Sequence, residues 1–218
     1  MLNSNPRKLM LSGWLKEHDA NAYSKTLKLQ KFLFLYEAFV KAHGERPDFD
    51  YLQGWKRGPV FSKVWGDYTY EREMFDREAA SQYAKNKDNF DESMAQRSSF
   101  IVSTLTEREL SDLTHCFNIW NVQAERIQNG EQKVALSEND FSESDIELVK
   151  KLEEMYPNDL IEESFVVSID QKNFVFLKKD IELLSVQHYD VLSTLSEDDS
   201  LHNPVFVTIE EEGRLIVD

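Results

Sequence analysis

A single cysteine in 218 residues, Cys116, excludes a disulfide framework and a multi-cysteine zinc or iron–sulfur site, and it suits a reducing compartment. The histidines His18, His43, His115, His188 and His202 are scattered, with no pair at the i, i+4 interval that a helical metal site favours, so no metal ligand set is expected. No run of 18 apolar residues occurs, and the opening MLNSNPRKLM has no long apolar stretch behind its charges. Neither a membrane span nor a secretory signal is expected, which places the chain in the cytoplasm. Dinucleotide and phosphate loops, H-E-x-x-H and G-x-S-x-G are all missing. Cys116 follows His115 directly, but helical neighbours point about 100° apart, so the pair reads as a core cysteine beside a histidine rather than nucleophile and base. No catalytic constellation and no cofactor site emerges, and the chain reads as a binding protein rather than an enzyme.

What the chain has is apolar material: 41% hydrophobic residues, including 14 Phe, 8 Tyr and 4 Trp, enough for a real core of one domain of about 150 residues with a smaller appendage. Its charge is uneven. Residues 1–137 carry 19 basic and 19 acidic side chains, whereas residues 138–218 carry 6 basic and 21 acidic, so the whole net charge of −15 lies in the last part. Duplex binding needs Lys and Arg against phosphates, so no nucleic-acid partner is expected. The acidity suits a basic protein partner, or simply keeps the chain in solution.

The spacing of Leu9, Leu11, Trp14 and Leu15 predicts a short amphipathic helix from Pro6 to about His18. After a polar break at Asp19 to Ala22, Ser24 caps a long helix over 24–43, apolar around most of its circumference and hence the central one. An extended piece runs around Phe49 to Trp55, and Pro59 opens the next helix. Helices follow over 71–86 and 93–105; Thr106 and Glu109 form a capping box for a helix ending near Asn129-Gly130, and Ser142 caps another that stops at Pro157. Beyond it SFVVSI and NFVFL, separated by Asp170 to Lys172, read as one β-hairpin, and VFVTI and RLIV, separated by Glu210 to Gly213, as a second, with a helix over Tyr189 to Leu195 between them. The expected fold is mainly α over residues 1–158, with an acidic, mainly β extension over 159–218.

Two segments stand out. In GWKRGPV (residues 54–60), Gly58, Pro59 and Val60 read as a structural joint, while Trp55, Lys56 and Arg57 form the part a partner could use, because Trp and Arg dominate interface hot spots. In ELSDLTH (residues 109–115), Thr114 and His115 interrupt an apolar pattern and read as a buried pair with satisfied hydrogen bonds. Taken with the long helix, these segments resemble the Panacea-domain family of SocA-like antitoxins and phage-associated proteins. Leu29-Gln30-Lys31, Leu33 and Tyr36 match its K-L-Q-K-L-L-Y run; Trp55-Lys56-Arg57-Gly58-Pro59-Val60 its W-K-x-G-P-V turn; Leu110-Ser111, Thr114-His115 and Trp120 its L-S-x-x-T-H motif with a following tryptophan. Ile119 stands where the family has proline, the stretch between the second and third motifs is long, and the acidic extension lies outside the match. The resemblance implies an antitoxin that binds one cognate toxin protein and silences it. Alternatives are an adaptor that hands the toxin to a protease and a phage-encoded protein with another host target. The apolar strands of the extension also leave room for a homo-oligomer.

Overall fold

Asn5 opens the first helix, α1 (Pro6–His18), by accepting the Lys8 amide at 2.9 Å, with Pro6 in the first turn where its missing N–H costs nothing. The computed structural model describes residues 1–87, 89–210 and 213–217. In it α1 is not amphipathic: Lys8 to Leu15 are all buried, because the helix is packed between later helices on more than one side. The polar break expected at Asp19 to Ala22 is instead a short helix, α2 (Ala20–Ser24), whose cap is the Asp19 carboxylate accepting the Ala22 amide at 2.8 Å. Ser24 therefore ends one helix rather than capping the next.

The long helix α3 (Thr26–Ala42) is the spine, with every residue from Lys28 to Val40 buried. It carries polar residues inside as well. Glu37, wholly buried, takes two bonds of 2.8 Å from Arg7 and one of 2.5 Å from Lys8, so that its charge is paired.

Two strands, β1 (Leu52–Trp55) and β2 (Gly58–Phe61), form an antiparallel hairpin closed by Lys56 and Arg57. Pro59 thus lies in a strand and not at a helix start. The turn ends on Gly58, whose φ of +101° lets the chain reverse in two residues, and the next helix, α4 (Ser62–Tyr70), begins only after Phe61. The following helices, α5 (Arg72–Lys85) and α6 (Glu92–Thr104), lie close to their expected positions.

The capping box of Thr106 and Glu109 starts α7 (Glu107–His115), but the single helix expected to run on to Asn129 is broken into three. Asp145 causes the break: its carboxylate accepts the amides of Asn118 and Ile119, restarting the chain as α8 (Asn118–Asn121), which α9 (Ala124–Gln128) follows. Cys116, left at the end of α7, is exposed rather than in the core. A strand that the sequence reading missed, β3 (Val134–Ala135), adds to β1, giving the order β2-β1-β3. Ser142 and Asp145 cap α10 (Glu143–Met155), and α11 (Asn158–Glu163) leads out of the helical body.

The acidic extension is a mixed sheet of β4 (Ser164–Ile169), β5 (Lys172–Leu177), β6 (Val205–Ile209) and β7 (Leu215–Val217), with α12 (Val186–Ser196) packed on it. Both expected hairpins form, and a parallel β5–β6 pair joins them; Glu211 and Glu212 of the second turn lie outside the described residues. Strand β5 uses both faces: Phe174 and Phe176 enter the core beneath α12, while Val175 between them joins the core of the helical body. The whole is an α-rich α+β fold.

Candidate functional site

Residues of three segments far apart in sequence, on α3, in 54–60 and in 109–120, meet at the β1–β2 hairpin. From below, the Gln30 side-chain carbonyl on α3 accepts the Phe61 amide at 2.8 Å, and the Lys31 ammonium group donates to the Pro59 carbonyl at 3.3 Å. From the side, the Trp120 indole on α8 donates to the Trp55 carbonyl at 3.1 Å and stacks on His115 at 3.8 Å between ring centres. Gly58 sits where α3 and α7 converge: a Cβ there would lie 2.3 Å from Lys31 Nζ and 2.5 Å from Thr114 Oγ1. No side chain fits. Strand residues Pro59 and Val60 are buried, as a structural joint requires.

The electrostatics beneath the hairpin are unusual. Lys31 is 1% exposed, and burial, with Arg57 adding to it, holds its pKa well below the ordinary lysine value. No acidic partner of Lys31 occurs among the described residues. Burial likewise pushes the His115 pKa down and the nearby Lys31 pushes it further, against Asp112 and a hydrogen bond with the Lys56 backbone. Thr114 is buried with its hydroxyl donated to the Leu110 carbonyl at 2.9 Å. His115 departs from the expected satisfied pair, because its Nε2 is buried without a partner, as is the Gln30 side-chain nitrogen.

Above this layer lies a surface of aromatic and cationic groups. Trp55 is half-buried, its indole N–H donates to Gln53 at 3.2 Å, and its ring lies 5.0 Å from that of Trp65 on α4. Lys56 and Arg57 are exposed at the turn, and Arg57 reaches Glu107 at 2.8 Å. One cavity of about 490 Å³ opens between the Trp55–Trp65 pair and Lys133, and a second of about 260 Å³ lies between Trp65, Trp55 and Gln30. Such a surface can recognise a partner through ring faces and exposed cations, the groups that concentrate energy at interfaces.

Tyr36 is not brought to the hairpin. It faces the other end of the body, where its hydroxyl accepts the Asp91 amide at 3.1 Å and Arg7 lies over its ring. The sequence reading missed Trp65 as a surface residue, because its helical spacing with Val64 and Tyr68 suggests only core. It also missed the isolation of Lys31, for which the one available signal is a lysine in the middle of an apolar helix. Comparison with known proteins gives no matching family model, no matching curated protein and no matching solved structure. Among the described residues, no helix is long and apolar enough to cross a membrane, and no group of three or more His, Cys, Asp or Glu is placed to hold a metal ion.

Proposed function

We propose that the chain is a cytoplasmic antitoxin of the Panacea-domain type, which silences a cognate toxin by direct protein–protein contact through Trp55, Lys56 and Arg57. The observation that carries this reading is the division of labour at the hairpin. Gln30, Lys31 and Trp120 bond its backbone and Thr114 packs against Gly58, so the turn that carries Lys56 and Arg57 beside the Trp55–Trp65 pair is held in place before a partner arrives. A preorganised surface loses less entropy on binding, which favours tight and specific association. The acidic extension offers a second contact to a partner with a basic surface.

The test is co-expression with the product of the neighbouring open reading frame, scored by growth and then by pull-down. Rescue with a stable complex supports direct neutralisation, while rescue with disappearance of the toxin assigns the chain to protease delivery instead. A harmless neighbour that does not bind overturns the antitoxin reading and leaves a phage-encoded protein with another host target.

A further inference from the structure

A separate cavity of about 470 Å³ opens where the helical body meets the extension, walled by α1, α2, α3, α6, α11 and β4, with Lys178 beyond β5. Its size is in the range of about 300–1,000 Å³ usual for small-molecule sites. Among the described residues, three polar groups on its walls have no hydrogen-bond partner. The indole N–H of Trp14, in a residue 1% exposed, and the hydroxyl of Ser164, in a residue 6% exposed, are both buried without a partner. Lys28, 5% exposed, forms no hydrogen bond or ion pair among the described residues, and burial first, then neighbouring Lys25, holds its pKa down at about 8 against the pull of Asp19, Glu107 and Glu109. Buried polar groups are nearly always satisfied, so unpaired groups from three different elements on one cavity mark a place where a ligand completes the bonding.

We infer that this cavity binds a small organic monocarboxylate with an apolar body. All three groups can donate, so the ligand must present acceptors. Of the two lysines on these walls, Lys178 is exposed and its ammonium group donates to the Glu162 carbonyl at 2.5 Å, so Lys28 supplies the one buried positive charge, which matches one negative charge. A phosphate dianion would meet Asp19 and Glu162 with too little positive charge to offset them. Asp19 itself is already engaged by the Ala22 amide and the Ser103 hydroxyl, so it does not neutralise Lys28 by direct contact. The rest of the wall is mixed: beside polar side chains such as Gln96 and Ser103 it carries Phe100, Ile161, Phe165 and Val166, which can take a hydrocarbon or aromatic body. This site shares no lining residue with the hairpin cavities, and its occupancy does not depend on the antitoxin reading.

The experiment is calorimetric titration of the full-length protein with hexanoate and 3-phenylpropionate, against 1-hexanol and 3-phenyl-1-propanol as uncharged counterparts and inorganic phosphate as a competitor. The expected result is that at least one acid binds at least tenfold more tightly than its alcohol and raises the melting temperature. Lys28→Met lowers that affinity at least tenfold and Ser164→Ala about threefold. Should Lys28→Met not fold, Lys28→Gln keeps the polarity and removes the charge. The inference is overturned if neither acid binds, if acid and alcohol bind equally, if the Lys28 variant binds the acid unchanged, or if phosphate displaces the acid at similar concentration.

Discussion

The hairpin site and the acidic extension solve the same problem, a tight reversal between two strands, in opposite ways. Gly58 and Gly213 both sit at positive φ, +101° and +77°. Around Gly58 the space for a Cβ is already filled by Lys31 and Thr114, whereas at Gly213 the nearest atom is His188 Nε2 at 3.8 Å. The first turn is locked by groups from two helices; at the second, among the described residues, Gly213 bonds the Glu210 carbonyl through its amide and His188 through its own carbonyl. The same contrast extends to the surfaces. Cations and two tryptophans stand over the first, while the extension exposes Ile181, Leu183, Val186, Tyr189 and Val191 amid its acidic residues. Locking shape costs freedom everywhere except at the tip, which is what a recognition surface needs, whereas an open apolar face leaves its shape to be set by what covers it.

The largest expected effect breaks that contrast directly. Gly58→Ala adds left-handed strain and forces a Cβ into Lys31 and Thr114, so we expect a loss of about 3 kcal/mol in unfolding free energy. Gly213→Ala carries the strain alone and should cost about 1 kcal/mol. Urea unfolding of the two variants measures both, and equal losses would show that the packing under Gly58 yields easily.

Next in size is the effect on binding. Under the proposed function, Trp55→Ala should weaken association with the proposed toxin partner more than tenfold, about 2 kcal/mol, with the melting temperature lowered only slightly because the ring is half-exposed. The paired change Val186→Ser with Tyr189→Ser, on the open face of the extension, should alter affinity less than threefold. An inverted order of the two would move the contact from the hairpin to the extension. A smaller effect of opposite sign is expected at Lys31. Replacing a buried lysine that has no acidic partner among the described residues relieves its desolvation, so Lys31→Met should leave stability unchanged or raise it by about 1 kcal/mol, read from the same unfolding curves. A marked loss would mean that the bond to the Pro59 carbonyl is worth more than the buried charge costs.

What the sequence makes legible here is what is decided locally. The caps at Thr106 and Ser142 and the Asp170 turn depend on residues within four positions, and all three appear where expected. The failures have distant causes. The break after His115 is imposed by the Asp145 carboxylate on another helix, and it also turns Cys116 outward. Pro59 reads as a helix start because a Lys-Arg turn lacks the Asn-Gly signature of a two-residue hairpin. Strand β3 is too short to leave a periodic signal. At the candidate site the motif residues are legible one segment at a time, and their convergence on Gly58 is not, since nothing in the chain states that Gln30 and Thr114 face the same turn. Burial of Lys28 and Lys31 is equally invisible, because a lysine's charge argues for the surface and only the surrounding helices overrule it.

The smallest effect tests whether the layer beneath the hairpin is as isolated from counter-charge as the contacts indicate. Burial first and then Lys31 hold the His115 pKa below its ordinary value of 6.5, with Asp112 and the Lys56 backbone opposing. The unfolded chain therefore takes up a proton near pH 6.5 that the folded chain refuses until a lower pH. Stability contributed by the neutral ring is fully present above pH 6.5 and falls as pH drops from there through the folded-state pKa, below which the loss levels off. Wild type should lose more stability between pH 7.5 and pH 5.5 than His115→Gln, whose side chain keeps a donor and an acceptor but cannot titrate. Parallel losses in the two proteins would mean that His115 is protonated as readily folded as unfolded, and that some acidic group then offsets Lys31 after all.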